Sequence, residues 1–360
     1  MIISARRNPF KPTAGMNPPE LIGREEIIED FRDSLGMGVG SPYRLMRISG
    51  VRGSGKTALL NAMANVAKTE YGFTVINVTS ERGVGARIGE KLEQEFSQIS
   101  AIVEPEAFGF KLGSVRMGRK PKTLDALMLE STKRHGLLVT IDEIQDIDLE
   151  ELRSIANNVQ LVIREEGDIA FAFAGLPTAI DDAVHHPGTT FLQRAANVEL
   201  ARLEIADVAE SYDDVFTHEG ISVCDGASRK MAEASEGYAF MVQLVGFYTW
   251  KAAARSGANT IGLEHVAIGI EEARRSFAST VLKPILSRVS QGQTDYLRAM
   301  AQCGEGDVQS GEVAKRMGMS TAQLGTFRAR LIEAGILEAT GYGKARIAIP
   351  YLREYLNHLE

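Results

Sequence analysis

The chain has 360 residues, with 40 Lys and Arg against 47 Asp and Glu, for a formal charge of −7 at neutral pH. Its length predicts two or three domains, and 44% apolar with 24% charged residues is ordinary globular composition, which excludes a disordered or collagen-like chain. The acidic balance excludes indiscriminate binding to nucleic acid and leaves only a local basic face for such a partner.

The start, MIISARRNPF, lacks the apolar core of a secretory signal. No uninterrupted apolar run approaches the roughly 18 residues a membrane span needs. Cys224 and Cys303 stand far apart and lack metal-ligand spacing. The expectation is a cytoplasmic protein with no membrane partner. Residues 1–19 carry four of the eleven prolines (Pro9, Pro12, Pro18, Pro19) and read as an extended arm. Glu20 to Glu26 then opens a helix through about Leu35, a glycine-rich loop covers 36–42, and Tyr43–Ser49 alternates like a strand.

Residues 50–57, Gly-Val-Arg-Gly-Ser-Gly-Lys-Thr, fit the G-x-x-x-x-G-K-[ST] phosphate loop. The chemistry requires that spacing. Gly50, Gly53 and Gly55, with Ser54 between them, let successive backbone N–H groups turn inward around an anion. Lys56 supplies a charge for the β- and γ-phosphates, and the Thr57 hydroxyl is a ligand for Mg²⁺. Ala58–Lys68 continues as a helix whose positive end points at the same anion, so strand, loop and helix follow in the order the mechanism needs.

Phe73–Thr79 predicts a second strand and a helix follows to about Ile99. Between Lys111 and Lys122 there are five basic residues (Lys111, Arg116, Arg119, Lys120, Lys122) and no acidic one, a solvated loop or a partner contact. Gly136-Leu-Leu-Val-Thr-Ile-Asp-Glu143 is an apolar run ending in two carboxylates, the pattern of a buried parallel strand whose C-terminal end faces a ligand. Asp142 is the candidate metal partner beside Thr57, and Glu143 the candidate base for an attacking water. The competing reading is an acidic helix cap, since Asp146, Asp148 and Glu150 lie close by. Ile169–Gly175 is another buried strand, ending at Gly175-Leu-Pro177. Strands alternating with helices predict a parallel sheet covered on both faces.

From about Arg202 the pattern is helical without strands, over Ile205–Thr217, Ser228–Ser235, Phe240–Arg255 and Leu263–Ser279. The third of these is apolar almost all round, which places Trp250 in a core. Thr294–Ala301 and Ser310–Met317 are helices, Gly318-Met319 a tight turn, Ser320 an N-cap and Thr321–Ala334 a further helix. Residues 335–349 read as strand, glycine-rich tip and returning strand. Helix, turn, helix and hairpin make a winged helix-turn-helix. Lys315 to Arg346 holds six basic residues (Lys315, Arg316, Arg328, Arg330, Lys344, Arg346) against Glu333 and Glu338, a surplus of four in a chain of net −7. That face predicts contact with double-stranded DNA; protein docking is the other use of such a module.

With both nucleotide motifs in view, the chain resembles the AAA+ ATPases, and among them the initiator-type origin-recognition group and its archaeal and bacterial relatives. The resemblance rests on Leu21-Ile-Gly-Arg-Glu25, GVRGSGKT, LLVTIDEIQ and the C-terminal helix-turn-helix with its hairpin. It implies an α/β fold: a P-loop NTPase parallel sheet (AAA+ core) over 20–201, an α-helical lid over 202–282 and a winged helix-turn-helix over 283–360. It further implies ATP with Mg²⁺ as ligands, ATP hydrolysis, nucleotide contacts from the Gly50–Ala58 segment, and Ile22 and Arg24 beside the adenine. Arg194, in Phe191-Leu-Gln-Arg194, matches an arginine finger acting across the interface of a homo-oligomer; its permanent charge and planar fork suit phosphoryl oxygens. Two features depart from the family pattern. The end of the fourth strand reads Phe-Ala-Gly-Leu-Pro, without the usual polar sensor, and the lid helix opens at Gly237-Tyr-Ala-Phe240 without a sensor arginine. Such losses look like those of switch-type ATPases, in which nucleotide state matters more than turnover. A signalling switch with a protein-binding module, or a transposition- or secretion-associated regulator, which Gly175-Leu-Pro177 also resembles, stand as alternatives.

Overall fold

The computed structural model describes residue 3 and residues 6–13, 15–103 and 122–358. Of the basic loop, Lys111, Arg116, Arg119 and Lys120 lie outside the described residues, while Lys122 pairs with Glu130. The first unit runs α1 (Glu25–Met37), β1 (Leu45–Ser49), α2 (Lys56–Thr69), β2 (Thr74–Thr79), α3 (Val84–Val103), α4 (Leu124–Thr132), β3 (Leu137–Asp142), α5 (Leu149–Arg164), β4 (Ile169–Gly175), α6 (Pro177–His185) and β5 (Ala196–Glu199). Its five strands are all parallel, in the order β2–β3–β4–β1–β5.

The two faces of this sheet are built from different side chains. On β4, Ala170, Ala172 and Ala174 join Leu138 of β3 against Leu59, Leu60 and Met63 of α2. Phe171 and Phe173 point the other way, with Val139 and Ile141, toward Ile88 and Leu92 of α3 and Ile155 and Val159 of α5. The period-2 alternation of a strand thus gives α2 a small-residue face and fills the opposite layer with rings. Asp148 is the N-cap of α5, accepting from the backbone N–H groups of Glu150 and Glu151 at 2.9 and 3.3 Å. The acidic segment after β3 therefore contains a helix cap as well as the two strand-end carboxylates.

The second unit is helical: α7 (Ile205–His218), α8 (Ala227–Ser235), α9 (Ala239–Ser256) and α10 (Leu263–Phe277). It is not strand-free, because β6 (Ser222–Val223) pairs in parallel with β7 (Thr260–Ile261). Two-residue strands leave no readable periodicity. Trp250 is buried and stacks on Phe216, with centroids 6.1 Å apart.

A π-helical turn (Ala278–Leu282) leads through α11 (Lys283–Arg288) into α12 (Gln291–Ala301), β8 (Val308–Gln309), α13 (Ser310–Met317), α14 (Thr321–Glu333), β9 (Leu337–Gly341), β10 (Lys344–Ile347) and α15 (Leu352–Asn357). Gly318, at φ +64°, turns α13 into α14, and Ser320 Oγ accepts from Gln323 N at the new N-terminus. The sheet order is β8–β10–β9, antiparallel. Buried residues of α7–α10 and of this last unit belong to one continuous apolar cluster.

The N-terminal arm is packed along the helical unit. Phe10 is 3% exposed between Tyr212 and Phe216, with centroids at 5.7 and 5.5 Å. Gly246 admits it, since a Cβ there would lie within the ring. Asn8 Nδ2 donates to Phe247 O at 3.0 Å, and Lys11 N to Gln243 Oε1 at 3.1 Å. Proline-rich composition correctly predicts extended chain here but says nothing of its anchor. Truncating Phe10 to Ala is expected to cost about 3 kcal/mol of unfolding free energy, as for other buried aromatics, with the loss read from the midpoint of urea unfolding.

Candidate nucleotide site

The parallel strands bring three chain segments to one edge of the sheet. Ser49 of β1 is level with Gly175 of β4, and Ile141 of β3 with Phe173. The loop after β1 and the carboxylates after β3 therefore converge above β4. Thr57 Oγ1 donates to Asp142 Oδ2 at 2.5 Å, which fixes the hydroxyl beside the carboxylate as the metal reading requires.

The loop itself depends on its glycines. Gly53 and Gly55 have φ of +75° and +99°, where a side chain is strained. A Cβ on Gly50 would collide with Ser54, and one on Gly53 with the Tyr238 ring and hydroxyl. Lys56 is 4% exposed, and its ammonium donates to Gly50 O and Val51 O at 2.9 and 3.1 Å. Burial lowers its pKa, an effect opposed by Glu143 and Asp142 nearby. Burial likewise raises that of Asp142, opposed by the Thr57 hydrogen bond. Ser54 Oγ is buried with no hydrogen-bond partner among the described residues. A buried ammonium, an unpartnered hydroxyl and a backbone with no room for side chains fit a polyphosphate chain.

A cavity of about 340 Å³ opens over the loop, within the usual range for small-molecule sites. The phosphate loop, Glu143, the arm and the start of α9 line it. Arm residues Lys11, Thr13 and Met16 and the segment from Glu20 to Ile22 with Arg24 form the wall away from Asp142. Ile22 is 9% exposed and packs in the helical unit's core. Arg24 Nη2 donates to Ala201 O at 2.7 Å, and burial lowers its pKa. Ala58 lines the same cavity. Arg194 does not: it is exposed at the end of the single helical turn Thr190–Arg194 that precedes β5.

Several participants carry no motif signal. Arg52 fills a free position of the loop motif; Nη1 lies 3.8 Å from Glu143 Oε2. The Tyr238 hydroxyl donates to Arg52 O, and Phe240 N donates to Gly53 O at 3.2 Å, so α9 is bonded directly to the loop. Burial raises the Tyr238 pKa and keeps its proton in place. The lid thus reaches the loop through a phenol and a backbone amide where the family resemblance led one to look for an arginine. Gln145 bridges Glu143 and the backbone of Leu176. The quoted LLVTIDEIQ contains it, but its partner lies on another strand.

Comparison with known proteins agrees with this geometry. Residues 20–165 match the AAA ATPase domain. Those residues form an AAA ATPase domain. Residues 279–356 match a domain of unknown function. No curated protein matches the chain. Among solved structures, the ORC2 protein of Aeropyrum pernix, in ADPNP–ADP complexes, is 15% identical, with 96% of each chain covered and a TM-score of 0.64. A Walker-type ATPase of Pyrococcus abyssi is 14% identical over 99% of this chain and 100% of that one, at 0.68. Cdc6p of Pyrobaculum aerophilum is 16% identical over 96% and 95%, at 0.54. At such identities the likeness is one of fold, and it extends over the AAA ATPase domain and the units that follow it. Among the described residues no helix is long and apolar enough to cross a membrane.

The Tyr238 hydrogen bond predicts a measurable lid contribution. Tyr238→Phe is expected to lower unfolding free energy by about 1 kcal/mol, the net worth of one such bond, and thermal melting of the two proteins side by side checks it.

Proposed function

We propose that the chain is an ATP-binding switch of the AAA+ type that hydrolyses ATP and couples nucleotide state to double-stranded DNA binding. The observation that carries this is the convergence of Lys56, Thr57, Asp142 and Glu143 on one cavity closed by α9. In this reading Gly50, Gly53, Ser54, Gly55 and Ala58 cradle the phosphates with backbone N–H groups, while Lys56 turns its ammonium from the loop carbonyls to phosphoryl oxygens. Mg²⁺, held by Thr57 and Asp142, neutralises phosphate charge when bound. Glu143 takes the proton of a water whose oxygen bonds to the γ-phosphorus as the bond to the bridging oxygen breaks. Ile22 and Arg24 flank the adenine. Arg194, exposed and away from its own cavity, suits an arginine finger for a neighbouring copy in a homo-oligomer.

The C-terminal unit, read as a winged helix-turn-helix, would meet DNA through Lys315, Arg316, Arg330 and Lys344, all exposed. Arg346 is already held by Glu338 through hydrogen bonds of 2.7 and 2.8 Å, and Arg328 donates to Lys344 O at 2.7 Å. These two serve the hairpin more than a ligand. Four remaining cations predict a log–log salt slope of about −3.6 for duplex binding.

Lys56→Ala is expected to weaken ATP binding by about 100-fold, and Glu143→Gln to leave binding intact while slowing turnover by about 100-fold or more. Isothermal titration and phosphate release check these. Filter binding of duplex DNA with and without ATP checks the coupling: ATP-enhanced retention that fades with salt is expected. Absence of retention at low salt sinks the DNA assignment and leaves a protein-docking switch.

A further inference from the structure

Gln145 sits in the single helical turn Ile144–Asp146 that follows β3. Its carboxamide is used at both ends. Nε2 donates to Glu143 Oε2, and Oε1 accepts from Leu176 N at 3.3 Å. Only a side-chain amide carries a donor and an acceptor on one rigid group at neutral pH in this way; a carboxylate cannot donate and a cationic side chain cannot accept.

The neighbouring geometry is arranged around that bridge. Gly175 has no Cβ, and one there would come within 2.6 Å of Ile144 Cγ1 and 3.2 Å of Gln145 Oε1. The glycine therefore lets the turn lean on the end of β4. Glu143 itself is left-handed at φ +59°, an uncommon setting for a side chain that tends to persist where surroundings over-determine it. It lines the cavity, so the carboxylate oxygen not held by Gln145 remains available on that side.

Leu176 then carries the connection out of the AAA ATPase domain. It is 1% exposed, and its side chain lies under Gly335, the turn between α14 and β9, where a Cβ would stand 2.9 Å from Leu176 Cδ2. Gly335 has φ +69°. Four residues thus join the carboxylate after β3 to the C-terminal unit: Glu143, Gln145, Leu176 and Gly335. The polar group at the end of β4, absent from Gly175-Leu-Pro177 itself, is supplied from the adjacent strand.

We infer that Gln145 is a positioning residue for Glu143 in hydrolysis, and that through Leu176 it makes the rate of that step depend on how the C-terminal unit is seated. The inference rests on the proposed role of Glu143. A shift of Gly335 moves Leu176 and its N–H; the amide follows, and the held carboxylate rotates relative to the cavity. Nucleotide affinity does not depend on the bridge, because Gln145 does not line the cavity.

The test is ATP hydrolysis by the full chain, in steady state and in single turnovers. Gln145→Ala is expected to lower kcat about tenfold with KM changed by less than about twofold. Gln145→Glu, which keeps the acceptor but sets carboxylate against carboxylate, is expected to lower it further. Gly335→Ala is expected to change kcat about threefold alone and to add nothing in the Gln145→Ala background, as residues of one coupled unit do. Leu176→Met, which keeps side-chain volume, takes its place in the cycle should Gly335→Ala lower the melting temperature. A kcat for Gln145→Ala within about twofold of the parent, or effects that simply multiply in the double variant, overturns the inference. Should Glu143→Gln hydrolyse ATP at the parental rate, the role of Glu143 fails first; a slow Glu143→Gln beside a normal Gln145→Ala removes only the relay.

Discussion

The bond from Thr57 to Asp142 spans β1 and β3, two strands that are not neighbours. β4 lies between them, and both must end level with it for a hydroxyl and a carboxylate to meet at 2.5 Å. A slip of one residue in either pairing would also exchange the alanine and phenylalanine faces of β4, burying rings against α2 and leaving voids toward α5. The register that packs the sheet is therefore the register that assembles the site. Stability and chemistry are specified by the same alternation.

Closure of the cavity is achieved by different means from its floor. The floor is backbone conformation, set by glycines at positive φ and by the start of α2. The roof is tertiary: Tyr238 and Phe240 bond to loop carbonyls, and the arm crosses from the helical unit to the wall beside Ile22 and Arg24. Asn61 of α2 also holds the arm, through Asn17 Oδ1 at 2.8 Å. A ligand in the cavity touches three segments that are distant in sequence and meet only in the folded chain.

What the sequence made legible follows from range. β3 and β4 stood out because long apolar runs ended abruptly in Asp-Glu or Gly-Leu-Pro, and the phosphate loop because its spacing is dictated by a small set of backbone angles. The Ser320 cap was readable for the same local reason. β5, four residues with Asn197 and Glu199 among them, has no such signature, and neither do β6 and β7. Phe10 was invisible as a core residue because its partners are about 200 positions away. Arg346 counted as a free cation until the β9–β10 register placed Glu338 opposite it. Gln145 was in plain view in the motif, but an amide's role is fixed by what lies at its two ends, and one end belongs to the residue after β4.

The chain passes between the AAA ATPase domain and the helical unit twice, once as the arm enters α1 and once after β5. The two passages lie side by side: Arg24 donates to Ala201 O, and Leu203 and Asp207 stand within 3.8 Å of where a Cβ on Gly23 would be. Two adjacent strands stitched together behave as a hinge pin and not as a tether. Swinging about the pin strains few bonds, whereas sliding or twisting across it breaks the stitch. Because the helical unit and the C-terminal unit share one core, whatever turns on that pin carries the basic face with it over an arc, and a rotation of a few degrees at the cavity becomes a displacement of several ångströms at the hairpin tip.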